Sequence, residues 1–327
     1  MGVFVFLPLV LPLSAWPIAR LAETRLHPRA ATLLLTAVAV VMAGCSTLCL
    51  VMVVGTARLP GNPLPDGWSD PRVRAAVPHD EIAGRAALAA LVLVVAACAR
   101  TLLRHRRVTR RARRAFGPVG GPPLCGRTAG GRRPDPAAPP GPRVAVLPDS
   151  TPYAYALPGG PGRIVVSTAL LAGLAPAERR ALFAHERAHL AARHHRHLLA
   201  VHLAARATPF LVPLRAAVVY TAERWADEEA ARTVGDRRTV ARAIGRAALL
   251  SAGTPAPTLA ALAATGPVPR RVAALLAPAP VARTWPPAFT AVGLAAWGAA
   301  AGALVSAMAS ANSAVTLFLI VHTTASL

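Results

Sequence analysis

Residues 176–190 read PAERRALFAHERAHL, and this stretch places two histidines four positions apart with a glutamate directly after the first. Proline at the first position and Glu178 in the first turn are typical of a helix N-terminus. On a helix, His185 and His189 project from one face and can share a metal ion, with Glu186 about 100 degrees further round. Chance predicts only ~0.007 such motifs in a chain of this composition, so we interpret the motif as a metal site.

A catalytic zinc ion needs a third protein ligand and one open position, where Glu186 can act on a water molecule as general base. One candidate for the third ligand is His195, which fits the spacing HExxHxxGxxH. Ala192 stands where that pattern has glycine, so we expect the helix to continue and to carry His195 away from the metal. No methionine lies between Met52 and Met308 to form the turn beneath such a site.

The other candidate is Glu223, in the segment ERWAD at residues 223–227, which lies on a second predicted helix. Asp227 follows one helical turn later and can support a histidine ligand through a hydrogen bond. An acidic pair on one helix is a weak signal alone, but its position after the two-histidine motif favours it. We therefore predict one zinc ion bound by His185, His189 and Glu223.

The composition indicates a membrane protein, because 54% hydrophobic residues and a mean hydropathy of +0.45 are too apolar for an ordinary soluble domain. Residues 1–19 and 30–57 carry no charge and are long enough to cross a bilayer as helices. A third span fits residues 82–103 if its two arginines reach the headgroups. A fourth lies within residues 288–321. Four spans are predicted.

The basic residues predict how the chain crosses the membrane. All 36 are arginine, the net charge is +22, and seven arginines stand within residues 104–114, directly after the third predicted span. The positive-inside rule then places the large central region in the cytoplasm and both termini outside a cell membrane. No zinc finger or RNA-binding motif accompanies the charge. We therefore expect contact with anionic lipid headgroups and no direct binding of nucleic acid.

The chain divides into predicted segments by composition. Three membrane helices occupy residues 1–115, a Gly/Pro-rich linker 116–143, a soluble metallopeptidase domain 144–283 and a last membrane helix 284–327. Short strands are predicted at residues 144–147, 153–157 and 163–167, the last two forming a hairpin. The stretch 198–220 is apolar but interrupted, and is either a buried broken helix or one that touches the membrane. The predicted fold class is mainly α with a small β-sheet: a multi-span helical membrane protein with an inserted peptidase domain.

Over residues 153–245 the sequence resembles the gluzincin metallopeptidases, in particular the integral-membrane branch with the BlaR/MecR-type sensor-transducers, HtpX and the CAAX-protease-like enzymes. The matching segments are ALPGG at 156–160, IVVS at 164–167, AHERAH at 184–189 and ERWADEEA at 223–230. The resemblance implies that His185, His189 and Glu223 bind zinc, that Glu186 is the base and that Asp227 braces a histidine ligand.

Three spans before the peptidase domain and one after it look most like the sensor-transducer type. That resemblance implies a protein substrate, namely a cytoplasmic repressor. Little sequence follows Arg283, so we expect no penicillin-binding sensor domain and infer no antibiotic sensing. The competing hypothesis is a non-proteolytic membrane signalling scaffold that retains the zinc fold. Loss of turnover on replacing Glu186 separates the two.

The predicted topology can be tested with reporter fusions at Arg143 and Leu327. We expect the reporter at Arg143 to be in the cytoplasm and the reporter at Leu327 to be outside, because arginines cluster after the first and third spans. An outside signal at Arg143 would overturn the topology and move the peptidase domain to the other compartment.

Overall fold

The computed structural model of the chain describes residues 7–57, 81–115, 142–159, 162–252, 267–280 and 289–325. The linker predicted at 116–143 lies outside these residues except for its last two. The described residues form two compact units. The first unit comprises Met1–Leu103, Leu199–Val218 and Arg283–Leu327, and the second comprises Arg104–Leu198 and Val219–Ala282.

The first unit is helical throughout its described part. Its helices that precede the second unit in the chain are α1 (Leu7–Val10), a 3-10 turn (Leu11–Ser14), α2 (Ala15–Arg25), α3 (Pro28–Thr56) and α4 (Glu81–Ala115), which continues into the second unit. The last helix of the chain, α11, covers Ala291–Ala325.

Within the described residues, three helices are long and apolar enough to cross a membrane: Pro28–Gly55, Ile82–Arg114 and Gly293–Thr316. They lie where the second, third and fourth spans were predicted and indicate a membrane protein. The first predicted span, residues 1–19, is described only from Leu7 onward. There the 3-10 turn at Pro12 separates two short α-helices, because proline has no N–H for the helical ladder. That span stays a prediction.

The stretch 198–220 is a broken helix, and some of its apolar residues are buried in the first unit. Helix α7 (His194–Ala207) and helix α8 (Val212–Val234) are separated by a 3-10 turn at Pro209–Leu211. Val201, Leu211 and Leu214 are buried in one cluster with residues of α2, α3 and α11. The predicted domain at 144–283 is therefore interrupted by Leu199–Val218, which groups with the first unit.

The second unit contains a three-stranded sheet. Strands β1 (Arg143–Leu147), β2 (Ala154–Leu157) and β3 (Arg163–Ser167) lie in the order β1-β3-β2. β2 and β3 form the predicted antiparallel hairpin, and β1 pairs with β3 in parallel. Ile164, Val165 and Val166 of the central strand are fully buried. The mainly helical fold with a small sheet confirms the predicted class.

The remaining helices of the second unit pack on this sheet and on one another: α5 (Thr168–Gly173), α6 (Pro176–Ala191), α9 (Arg237–Leu250) and α10 (Val268–Leu276). Helix α6 begins with Pro176, and the Glu178 carboxylate accepts a hydrogen bond from the backbone N–H of Ala175 at 2.8 Å. Its small residues Ala181 and Ala184 are buried against α8, α9 and α10. The face of α6 that carries the two histidines is thereby held in one orientation.

The expectation that α6 continues through Ala192 is wrong. The helix ends at Ala191, Arg193 adopts a left-handed backbone conformation with φ of 53°, and α7 begins at His194. For a residue other than glycine this conformation costs about 1–2 kcal/mol. The turn buries His194 completely, so tertiary packing of that ring overrides the local preference for helix.

Exchanging Arg193 tests whether the left-handed turn is strained. We expect Arg193→Gly to leave the thermal unfolding midpoint in detergent unchanged or higher, and Arg193→Val to lower it, because a β-branched residue fits this conformation poorly. Arg180 is the matched control, since it is an exposed arginine inside α6. At position 180 the order of the two unfolding midpoints should reverse. Inside a helix, glycine is less stabilising than valine by a few tenths of a kcal/mol or more. If the glycine and valine variants had the same order of unfolding midpoints at positions 193 and 180, the left-handed conformation of Arg193 would be contradicted.

Candidate metal centre

The two histidines of α6 and Glu223 of α8 point at one common position. The Nε2 atoms of His185 and His189 lie 3.0 Å apart. One carboxylate oxygen of Glu223 lies 3.5 Å from Nε2 of His185, and the other lies 3.5 Å from Nε2 of His189. The structure thus brings Glu223, which is distant in sequence, to the two predicted histidine ligands.

These three side chains fit a zinc ion. Ligand atoms about 2.1 Å from a tetrahedral ion are roughly 3.4 Å from one another, close to the separations of these donor atoms. Two imidazoles and one carboxylate are a donor set that catalytic zinc sites use. Among the described residues they are also the one group of histidine, cysteine and acidic side chains close enough to hold a metal.

Asp227 supports His185 from the side away from the metal position. Its Oδ1 atom lies 3.0 Å from Nδ1 of His185, and its side chain is completely buried. Burial alone would lower the pKa of His185, but the nearby carboxylates of Asp227 and Glu223 raise it to about 10. The contact leaves Nε2 of His185 facing Glu223, as a ligand requires. Asp227 therefore occupies the place of the predicted brace.

Arg271 of α10 is a site residue that sequence reasoning missed. Its Nε and Nη2 atoms donate to the two oxygens of Asp227 at 2.8 and 2.6 Å. Its Nη1 atom lies 2.9 Å from Glu223. Burial works against ionisation of both acids, but the guanidinium keeps their pKa values below the usual range. The arginine therefore keeps both carboxylates charged and oriented.

The sequence offers one signal for Arg271. It stands four residues before Leu275 on the short helix α10, and both side chains are buried. An arginine on the apolar face of a helix indicates a buried partner. In a chain with 36 arginines, that position alone does not identify which acids it pairs with.

Glu186 lies beside the ligands and lines a cavity of about 530 Å³. Burial raises the pKa of its carboxyl to about 7, although the backbone N–H of Ala156 opposes this by hydrogen bonding to the carboxylate. A group with this pKa can both accept and release a proton near neutral pH. The role of general base for Glu186 stays a prediction.

The rest of the cavity is mainly apolar. Strand β2 forms one wall, with Tyr155 and Ala156, and helix α9 forms another, with Ala243 and Ile244. His195 also lines the cavity. In the described part of the chain it is outside the group of potential metal ligands. The structure therefore places Glu223, and not His195, with the histidine pair.

A protein-family model described as Peptidase family M48 matches residues 135–217. The matched range contains α6 with both histidines and Glu186, and it ends before Glu223. It supports a metallopeptidase domain of the gluzincin type, while the narrower resemblance to the sensor-transducers stays a prediction. No curated protein and no solved structure matches the chain.

Alanine replacements test the ligand set through the zinc content and zinc affinity of the purified protein. Glu223→Ala should lose zinc because it removes a ligand atom, and His195→Ala should keep it. The zinc affinity of Asp227→Ala should lie between that of wild type and that of Glu223→Ala, since losing a residue that orients a ligand weakens metal binding about 10 to 100-fold. Zinc lost from His195→Ala but kept by Glu223→Ala would show that the ligand set is wrong.

Proposed function

We propose that this chain is a membrane-bound, zinc-dependent metalloendopeptidase that hydrolyses peptide bonds of a protein substrate. The observation that carries the proposal is the position of Glu186. Its buried carboxylate lines the same cavity as the three convergent ligand side chains, and strand β2 borders that cavity. That arrangement combines a metal site, a proton acceptor and room for an extended peptide.

His185, His189 and Glu223 would hold the zinc ion. When bound there, zinc would supply Lewis-acid polarisation of the peptide carbonyl and of the attacking water. Glu186 accepts the proton that the water loses and passes it to the leaving amine nitrogen. The burial that raises its pKa also excludes bulk water from this exchange, and a nearby divalent cation would favour its ionised form.

Strand β2 offers the substrate a place to bind. In the described part of the chain β2 pairs only with β3, and its residues 154–156 line the cavity beside Glu186. An extended peptide can add to such an edge through backbone hydrogen bonds, which place its carbonyl groups at regular intervals along the strand. This mode of binding suits an endopeptidase, because it needs neither terminus of the substrate.

The location of the enzyme is part of the proposal. We place the peptidase domain in the cytoplasm and both termini outside the cell membrane. Support comes from the seven arginines of residues 104–114, which are all exposed on the C-terminal part of α4, the helix that holds the candidate span Ile82–Arg114. By resemblance to the sensor-transducer peptidases, the substrate is a cytoplasmic repressor.

Replacing Glu186 with glutamine tests the activity. The amide keeps the size of the side chain but cannot accept the proton, so peptide hydrolysis should fall about 100-fold or more while zinc stays bound. Arg187→Gln is the control, because it changes an exposed neighbour on the same helix. Hydrolysis is measured with a denatured protein substrate, and cleavage products are compared by proteomics in cells expressing each form. Identical products from wild type and Glu186→Gln would favour the non-proteolytic scaffold.

A further inference from the structure

We infer that His194 is a positioning residue for His189: its ring accepts a hydrogen bond from the outer nitrogen of His189 and so directs the inner nitrogen toward the metal position. The inference deepens the proposed function and rests on it. It concerns a residue that was neither a predicted ligand nor a predicted base.

The geometry separates the two nitrogens of His189. Its Nε2 atom faces His185 at 3.0 Å and Glu223 at 3.5 Å. Its Nδ1 atom lies 2.9 Å from Nδ1 of His194, and the two rings meet edge to face with centroids 4.8 Å apart. Nε2 of His189 therefore lies in the ligand group, and Nδ1 of His189 contacts His194.

The direction of this hydrogen bond follows from the ligand role of His189. A ligand nitrogen must present its lone pair, so the ring proton of a neutral His189 sits on Nδ1. Nδ1 of His194 must then be the acceptor, and His194 carries its own proton on Nε2. Among the described residues that Nε2 atom is buried without a hydrogen-bond partner. The His194 ring packs edge to face against the Trp225 ring, with ring centroids 4.7 Å apart.

The two ligand histidines are therefore braced by different chemistry. His185 meets the charged carboxylate of Asp227, whereas His189 meets an imidazole. A hydrogen bond to the outer nitrogen fixes the tautomer and the ring orientation of a ligand histidine. A neutral partner at His189 avoids a third negative charge beside Glu223 and Asp227, which already share Arg271.

The break between α6 and α7 makes this contact possible. On an uninterrupted helix, a residue five positions after His189 would lie about 140 degrees round the axis from it. The left-handed turn at Arg193 instead brings His194 back over His189, and only 1% of His194 remains exposed. The other histidines of the same run, His195 and His197, are only half-buried.

The test uses full-length protein in detergent and compares His194→Phe, which keeps an aromatic ring but removes the acceptor, with His194→Asn, which keeps an acceptor oxygen. His197→Phe is the matched control from the same histidine run. Zinc affinity is measured by competition with a chelator, and the ligand geometry is read from the visible absorption of the cobalt(II)-substituted protein. His194→Phe should weaken zinc binding about 10 to 100-fold and alter the cobalt spectrum. His194→Asn should recover much of the zinc affinity and of the wild-type cobalt spectrum. His197→Phe should match wild type in both measurements.

The outcomes separate this inference from the proposed function. A folded His194→Phe protein with wild-type zinc affinity and cobalt spectrum would overturn the inference alone. A wild-type protein that binds no zinc would overturn the inference and the proposed function together. If His194→Phe fails to fold, His194→Asn decides: binding within about 10-fold of wild type supports the hydrogen bond, and a larger loss refutes it.

Discussion

The buried charge of Arg271 is the constraint on which the rest of the site depends. Glu223 and Asp227 stand one helical turn apart, and both are buried. Two ionised carboxylates that close repel each other and lose their hydration, so without a cation at least one would take up a proton. The guanidinium contacts both acids. It thereby keeps Glu223 available as a ligand and Asp227 available to His185.

This requirement explains how the helices of the second unit are arranged. Helix α10 must lie against α8 to deliver Arg271, and a second arginine secures it there. Arg237, at the start of α9, pairs with Glu228 of α8 and donates to the carbonyl oxygens of Ala274 and Leu275 at 2.9 and 3.0 Å. The last turn of α10 is thus capped by α9. Small apolar residues fill the space between these helices and α6, so the ligand-bearing helices can approach closely.

The two candidate braces give the site unequal halves. His185 contacts Asp227, which pairs with Arg271, whereas His189 contacts the uncharged ring of His194. His194 in turn packs against Trp225. Glu186 lies between this polar cluster and an apolar cavity, which accounts for its raised pKa. The proposed hydrolysis needs both the polar cluster and the apolar cavity. The cluster fixes the orientation of the ligands, and the cavity gives the base a partly dry environment.

The sequence by itself determined what depends on spacing within one element. The interval between His185 and His189 placed them on one helix face, long apolar runs marked the three helices of the described chain that can cross a membrane, and the Gly/Pro turn between two short strands predicted the hairpin. Only the tertiary structure decided the end of α6, the place of residues 199–218, and the contacts of Arg271 and His194. Helical periodicity specifies which side chains share a face, but it carries no information about which buried charge will meet a partner on a distant helix. The left-handed turn at Arg193 likewise has no local cause, since the burial of His194 offsets its cost.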